Sequence, residues 1–231
     1  MPPRWLPLLA LTFAGLAPFG GVIAQDDRGA EPLPAPADLG PATVVPPASP
    51  CECLIPPIAN RPRWVPDYFQ FLTGGSYTTS LGPVIPTFDF VSINARFGWY
   101  LTDPVAPSAV SVLFGSSSGI VTKGFGSYFT GPSLAFRYER RPDRDWVPYF
   151  QIGSALALND AYKNKSQRAI GSVTEFCDQV EGGVRYRFTG NMSLDIELAY
   201  QHISNAGFAG RNSGVNNLAV LAGFTYTFGC R

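Results

Sequence analysis

The chain has 231 residues with 17 Lys and Arg against 17 Asp and Glu, and no basic stripe interleaved with aromatics, so nucleic acid is not an expected partner. Charged residues make up only 15% of the sequence while aromatics reach 13%, a balance that leans towards a membrane. After residue 25 no apolar run reaches the roughly 18 residues that a transmembrane helix needs.

Residues 1–25 read as a secretory signal: Arg4 near the start, an apolar stretch from Trp5 to Phe19, then Val22-Ile23-Ala24 before the polar Gln25. Residues 26–66 are dense in proline, with EPLPAPADLGPATVVPPASP at their centre, and lack apolar periodicity, as expected of an extended linker or tail. Export places Cys51, Cys53, Cys177 and Cys230 in an oxidising compartment, but spacing does not decide which of them pair. One histidine and no paired Cys-x-x-Cys argue against a metal site, and no cofactor is expected.

From 67 to 231 the pattern is one of alternation. Strands are expected near 67–80, 87–101, 108–117, 127–140, 146–159, 173–188, 191–204 and 215–228, each long enough to cross a bilayer when tilted. Side chains along a strand point to opposite faces, so each segment can be read as two rows. In the second, Val91, Ile93, Ala95, Phe97 and Trp99 oppose Ser92, Asn94, Arg96 and Gly98. In the fourth, Leu134, Phe136 and Tyr138 oppose Ser133, Ala135, Arg137 and Glu139. In the sixth, Val180, Val184 and Tyr186 oppose Gln179, Glu181 and Arg185; in the seventh, Leu194, Ile196 and Leu198 oppose Ser193, Asp195 and Glu197. Arginines and carboxylates in similar numbers on the second face can compensate one another inside a narrow lumen. The apolar rows end in aromatics, as an interfacial girdle does. The expected fold is therefore all-β: an eight-stranded antiparallel transmembrane β-barrel with its apolar face outward, preceded by a signal peptide and a Pro-rich tail. A lipocalin-like soluble barrel, apolar inward, is the rival.

Loop lengths set the orientation. TDPVAPS, RPDRD and TGN are short to moderate, whereas GSSSGIVTKGFG and NDAYKNKSQRAIGS are longer, and in outer-membrane barrels the longer loops face outside. Strand seven then runs outward, and its end, Tyr200 to Asn205, reaches the external leaflet.

That end carries the only histidine. His202 and Ser204 share the even-numbered face with Leu194, Ile196 and Leu198, so parity points them at lipid. A serine hydroxyl is a weak nucleophile until a neighbouring base takes its proton, and that base needs a third group to orient it. Asn216 falls on the outward face of strand eight, within reach of His202 across the pair. The plainer reading is a hairpin tip, where Ser, Asn and Gly are ordinary residues. Against it, polar side chains directed at acyl chains are costly unless something uses them.

The run His202-Ile203-Ser204-Asn205-Ala206-Gly207, then Asn212-Ser213-Gly214, then a strand ending Gly223-Phe224-Thr225-Tyr226-Thr227-Phe228, resembles the C-terminal hairpin of the outer-membrane lipid A 3-O-deacylases, the PagL family. The resemblance implies a serine esterase on the barrel exterior that removes the 3-O-linked acyl chain of lipid A. It gives Ser204 as nucleophile and His202 as general base, with Asn212 and the amides from Asn205 to Gly207 around the oxyanion. Where the family places a glutamate to orient the histidine, this chain has Asn216. An amide brings no charge, which predicts a slower enzyme unless Asp178 or Glu175 supplies a carboxylate. The expected partners are lipid A or lipopolysaccharide and the outer membrane, with a homodimer allowed. The alternative function is a non-catalytic structural or binding barrel that keeps the hairpin.

Overall fold

A computed structural model describes residues 64–79 and 87–228. The signal peptide, nearly all of the Pro-rich segment, and Cys51, Cys53 and Cys230 lie outside the described residues. Cys177 is buried with a free thiol.

Eight antiparallel strands close in sequence order: β1 (Tyr68–Thr78), β2 (Asp89–Tyr100), β3 (Ser108–Lys123), β4 (Tyr128–Arg140), β5 (Trp146–Asn159), β6 (Thr174–Arg187), β7 (Met192–Ser204) and β8 (Val215–Thr227). Closure comes from β1 on β8, in a register running from Tyr68 opposite Thr227 to Thr78 opposite Asn217. No sheet edge is left open, which satisfies the backbone in a medium without water.

The alternation carries over to the wall. Ile196 and Leu198 of β7 are 56% and 57% exposed, while Asp195 and Glu197 between them are buried. Apolar side chains therefore face outward and charges inward, the reverse of a soluble barrel. Trp146 and Tyr186, paired across β5 and β6 with ring centroids 4.6 Å apart, belong to the aromatic band at the short-turn end.

Each buried arginine is met by carboxylates. Arg96 meets Glu181 at 2.7 Å and Glu197 at 3.4 Å, and Arg185 meets Glu139 at 2.9 Å and Asp195 at 3.2 Å. Arg137 lies 3.8 Å from Glu139 and 3.9 Å from Glu197, with its guanidinium over the Tyr149 ring at 4.2 Å. Gln151 donates to Glu181 as well. Side chains fill this interior as expected of eight strands, so it is a packed core and not a pore.

One expected loop is a strand. The GSSSGIVTK portion of the segment read as a long loop continues β3 to Lys123, and only Gly124 to Ser127 connect it to β4. Its small residues make room for a neighbour: a Cβ at Gly119 would lie 2.1 Å from the Phe129 ring. Phe129 thus packs inside the barrel, edge-on to Phe90 at 4.7 Å. Pairing with β2 and β4 on both sides overrides the weak strand propensity of serine and glycine.

Phe129 belongs to an apolar cluster that fills the barrel mouth at the long-loop end, with Phe88, Phe90, Phe125, Ile170, Ile203 and Val215. Ile170 reaches it from the β5–β6 loop, which anchors that loop over the mouth. Asp160, at the start of the same loop, accepts from the Ser127 N–H at 2.7 Å and the Tyr128 N–H at 3.3 Å. Those donors, Ser127 first, hold its carboxyl below the ordinary aspartate range. Ile203 and Val215 fix β7 and β8 from the inside, so the side chains between them are held on the outside.

Candidate active site

Strand register brings the side chains of the site together. On β7, His202 lies opposite Asn216 of β8 and opposite Asp178 of β6, so all three sit at one level on the outward face. The His202 Nδ1 and Asn216 Oδ1 atoms are 2.7 Å apart. An amide oxygen only accepts, so Nδ1 carries the hydrogen and Nε2 keeps the lone pair that a general base needs. His202, Ser204 and Asn216 are half-buried, while Asp178 is exposed. Behind the imidazole stands Gly214, whose φ is 70°, and a Cβ there would come within 2.9 Å of His202 Cε1. Two constraints thus require glycine at this position: the left-handed backbone and the ring against it.

The turn from 205 to 214 is built around Asn205. Its side chain is buried and donates to the Arg211 carbonyl at 2.9 Å and to Glu175 Oε1 at 3.4 Å. Glu175 in turn accepts from the Gly171 and Ser172 N–H groups at 2.9 and 2.8 Å. Glu175 lies on the inward row of β6 and serves this loop junction, so the carboxylate beside the histidine is Asp178 and not Glu175.

Three residues expected around the oxyanion are brought together, but two of their amides are in use. The Asn205 N–H donates to Asn212 Oδ1 at 2.8 Å, and the Gly207 N–H donates to Asn205 Oδ1 at 3.0 Å. The Asn205 bond holds the Asn212 amide one peptide from Ser204. Its Nδ2 and the N–H of Ala206, a residue with φ 52°, meet no acceptor among the described residues. These are the donors the turn leaves over.

His202 and Ser204 are neighbours on one face but are not hydrogen-bonded to each other. Ser204 instead lies opposite Phe176 of β6, whose ring centroid is 6.4 Å from that of Phe208. Phe208 is 83% exposed at the loop tip. These two rings give the serine an apolar approach that single-sequence reading missed, since only the β6–β7 register brings Phe176 beside it.

Residues 73–225, more than half of the chain, match the family described as Lipid A 3-O-deacylase (PagL). This protein belongs to the PagL family. Among solved structures, the chain is similar to that of the outer membrane enzyme PagL, at 14% identity and a TM-score of 0.48, over 70% of this chain and 99% of that one. It is also similar to Neisserial surface protein A, at 18% identity and a TM-score of 0.45, over 70% of this chain and 96% of that one. No curated protein sequence matches the chain. PagL membership and the outward apolar wall make this an outer-membrane barrel, and the lipocalin-like rival falls. PagL proteins are lipid A 3-O-deacylases, a class of ester hydrolase. Nothing in the family match or the similar structures speaks for a homodimer.

Proposed function

We propose that this PagL-family barrel hydrolyses the ester that links an acyl chain to the 3 position of lipid A, at a site on its lipid-facing wall in the outer leaflet. The observation that carries the reading is the His202–Asn216 contact, one outward position from Ser204. Substrate enters laterally along the Phe176 and Phe208 rings, without leaving the membrane. Ser204 Oγ adds to the ester carbonyl as His202 Nε2 takes its proton. The adduct collapses, the sugar 3-oxygen leaves with that proton, and the chain stays on Ser204 as an ester. Water, deprotonated by the same imidazole, then cleaves this ester and releases the fatty acid. The oxyanion formed in each half is met by donors of the 205–212 turn, with Ala206 N–H and Asn212 Nδ2 as those left over, and Asn205 and Gly207 holding the turn in shape.

Asn216 keeps the imidazole in the right tautomer but brings only a dipole to the imidazolium. In a Ser-His-Asp protease the acid-to-amide change costs about four orders of magnitude in rate because the imidazole takes the wrong tautomer; here the Nδ1 contact keeps the tautomer and only the charge is missing. That amide is also the observation that favours the second reading, a barrel retaining the hairpin without catalysis. Incubating the refolded protein with lipopolysaccharide and weighing the product by mass spectrometry separates the two. Loss of one ester-linked acyl chain is expected with wild type and not with Ser204→Ala. Equal products from both proteins overturn the esterase reading.

A further inference from the structure

Beside the candidate site, the β5–β6 loop (160–173) and the β7–β8 loop (205–214) enclose an open cavity of about 690 Å³. Lys165, Arg168 and Arg211 line it together with Ser166, Asn212 and Ser213, and no carboxylate does. The loops are joined by backbone: Ser213 N–H donates to the Arg168 carbonyl at 3.1 Å and Gly214 N–H to the Ala169 carbonyl at 3.2 Å. Arg211 crosses between them, donating to the carbonyls of Tyr162 at 2.6 Å, Asn164 at 2.8 Å and Gln167 at 3.2 Å. Carbonyls hold the guanidinium in place without cancelling its charge. Among the described residues Lys165, Arg168 and Arg211 have no ion-pair partner. Asn212 belongs to both places, since its Oδ1 holds the N–H next to Ser204.

Three uncompensated cations, two hydroxyls and an amide around one cavity suit an oxyanion of high charge, above all a phosphate. We propose that this cavity is a phosphate subsite, binding the phosphorylated sugar headgroup of the lipid whose acyl ester reaches Ser204. The inference rests on the deacylase reading and deepens it. An acyl chain alone slides freely along an apolar wall; a headgroup held at a fixed offset selects which of several esters meets the nucleophile. Binding energy remote from the reacting bond is used in this way to orient it.

The test reads binding and not turnover. Full-length protein carrying Ser204→Ala, in detergent micelles, is titrated with phosphorylated lipid A, with enzymatically dephosphorylated lipid A and with inorganic phosphate. The phosphorylated lipid is expected to bind at least about fivefold more tightly than the dephosphorylated one, an advantage that shrinks as salt rises. Adding Lys165→Gln and Arg168→Gln together should remove that advantage and leave the dephosphorylated lipid where it was. Both side chains are exposed, so the variants should fold as wild type does, read as the same gel shift between unheated and heated protein that a folded outer-membrane barrel is expected to give, and Arg211 is left intact because it ties the loops. Ser166→Asp, which puts a negative charge into the cavity, should act in the same selective way. Equal affinity for the two lipids, or an equal loss for both in the variants, overturns the subsite. Inorganic phosphate binding as tightly as the lipid also overturns it, since the cavity would then hold a free anion and not a headgroup. Selective binding without deacylation by wild type would sink the esterase alone, and deacylation without selective binding would sink the subsite alone.

Discussion

His202 and Asn216 face each other across β7 and β8, with Nδ1 2.7 Å from the amide oxygen, so the imidazole is oriented by a group with no charge. The base-orienting half of a triad is in place, in neutral form, while the Ser204 hydroxyl and the imidazole are not yet hydrogen-bonded. Asn216→Glu is expected to raise kcat by at least about tenfold, because a carboxylate would stabilise the imidazolium of the proposed attack by Ser204. Initial rates of acyl release from lipopolysaccharide measure it. An unchanged rate would mean that the neutrality of Asn216 is not what limits the reaction.

Asp178 occupies the opposite flank of the same histidine. Directly paired residues place their Cβ atoms about 4.5–5.5 Å apart, close enough for a carboxylate to attract an imidazolium strongly where water is scarce. Asp178→Asn should lower kcat by about fivefold in the wild-type background. The loss should be smaller in Asn216→Glu protein, since two carboxylates serving one cation are not additive. Equal losses in both backgrounds would place Asp178 outside this role.

Gly214→Ala tests the wall behind the ring. With φ at 70° and a Cβ 2.9 Å from Cε1, alanine strains the turn and pushes the imidazole off Asn216. A displacement of that kind costs about a hundredfold in rate. The gel shift on heating should be retained while acyl release collapses; full activity would show that the ring has slack.

Arg96→Met probes the packed lumen. It leaves Glu181 and Glu197 buried without the cation that now meets both. Breaking such a pair is expected to destabilise the barrel by about 3–5 kcal/mol, read as a lower midpoint for urea unfolding in detergent. A midpoint within error of wild type would show that water reaches this interior and solvates the carboxylates.

Leu198→Arg probes the outer wall. Leu198 lies midway along β7 and is 57% exposed, so the substitution puts a charge against the hydrocarbon core. The expected cost is about 2–4 kcal/mol in lipid vesicles. The same change on a water-facing wall would be nearly neutral, which makes the measurement a direct test of membrane embedding.

Much of this was legible in the chain itself. Alternation with period two is a local property, so the rows Leu194-Ile196-Leu198 and Asp195-Glu197 already say which way β7 faces and therefore that His202 and Ser204 face lipid. The charges on the inward row argue against an interior that is apolar throughout, and the HxSNAG run points to the family. Partnership is what local pattern cannot carry. Nothing near Ser116 to Ser118 in sequence shows that β2 and β4 will pair with them, and so a strand reads as a loop. Asn205 looks like a tip residue and is a buried junction, because its partners Glu175 and Arg211 come from an adjacent strand and from the far side of the turn. The choice between Asp178 and Glu175 as the carboxylate beside His202, the Phe176 ring beside Ser204 and the convergence of Lys165, Arg168 and Arg211 were likewise decided only by closure of the barrel. Side-chain direction follows from backbone geometry one residue at a time; neighbours across strands and between loops exist only once the register is set.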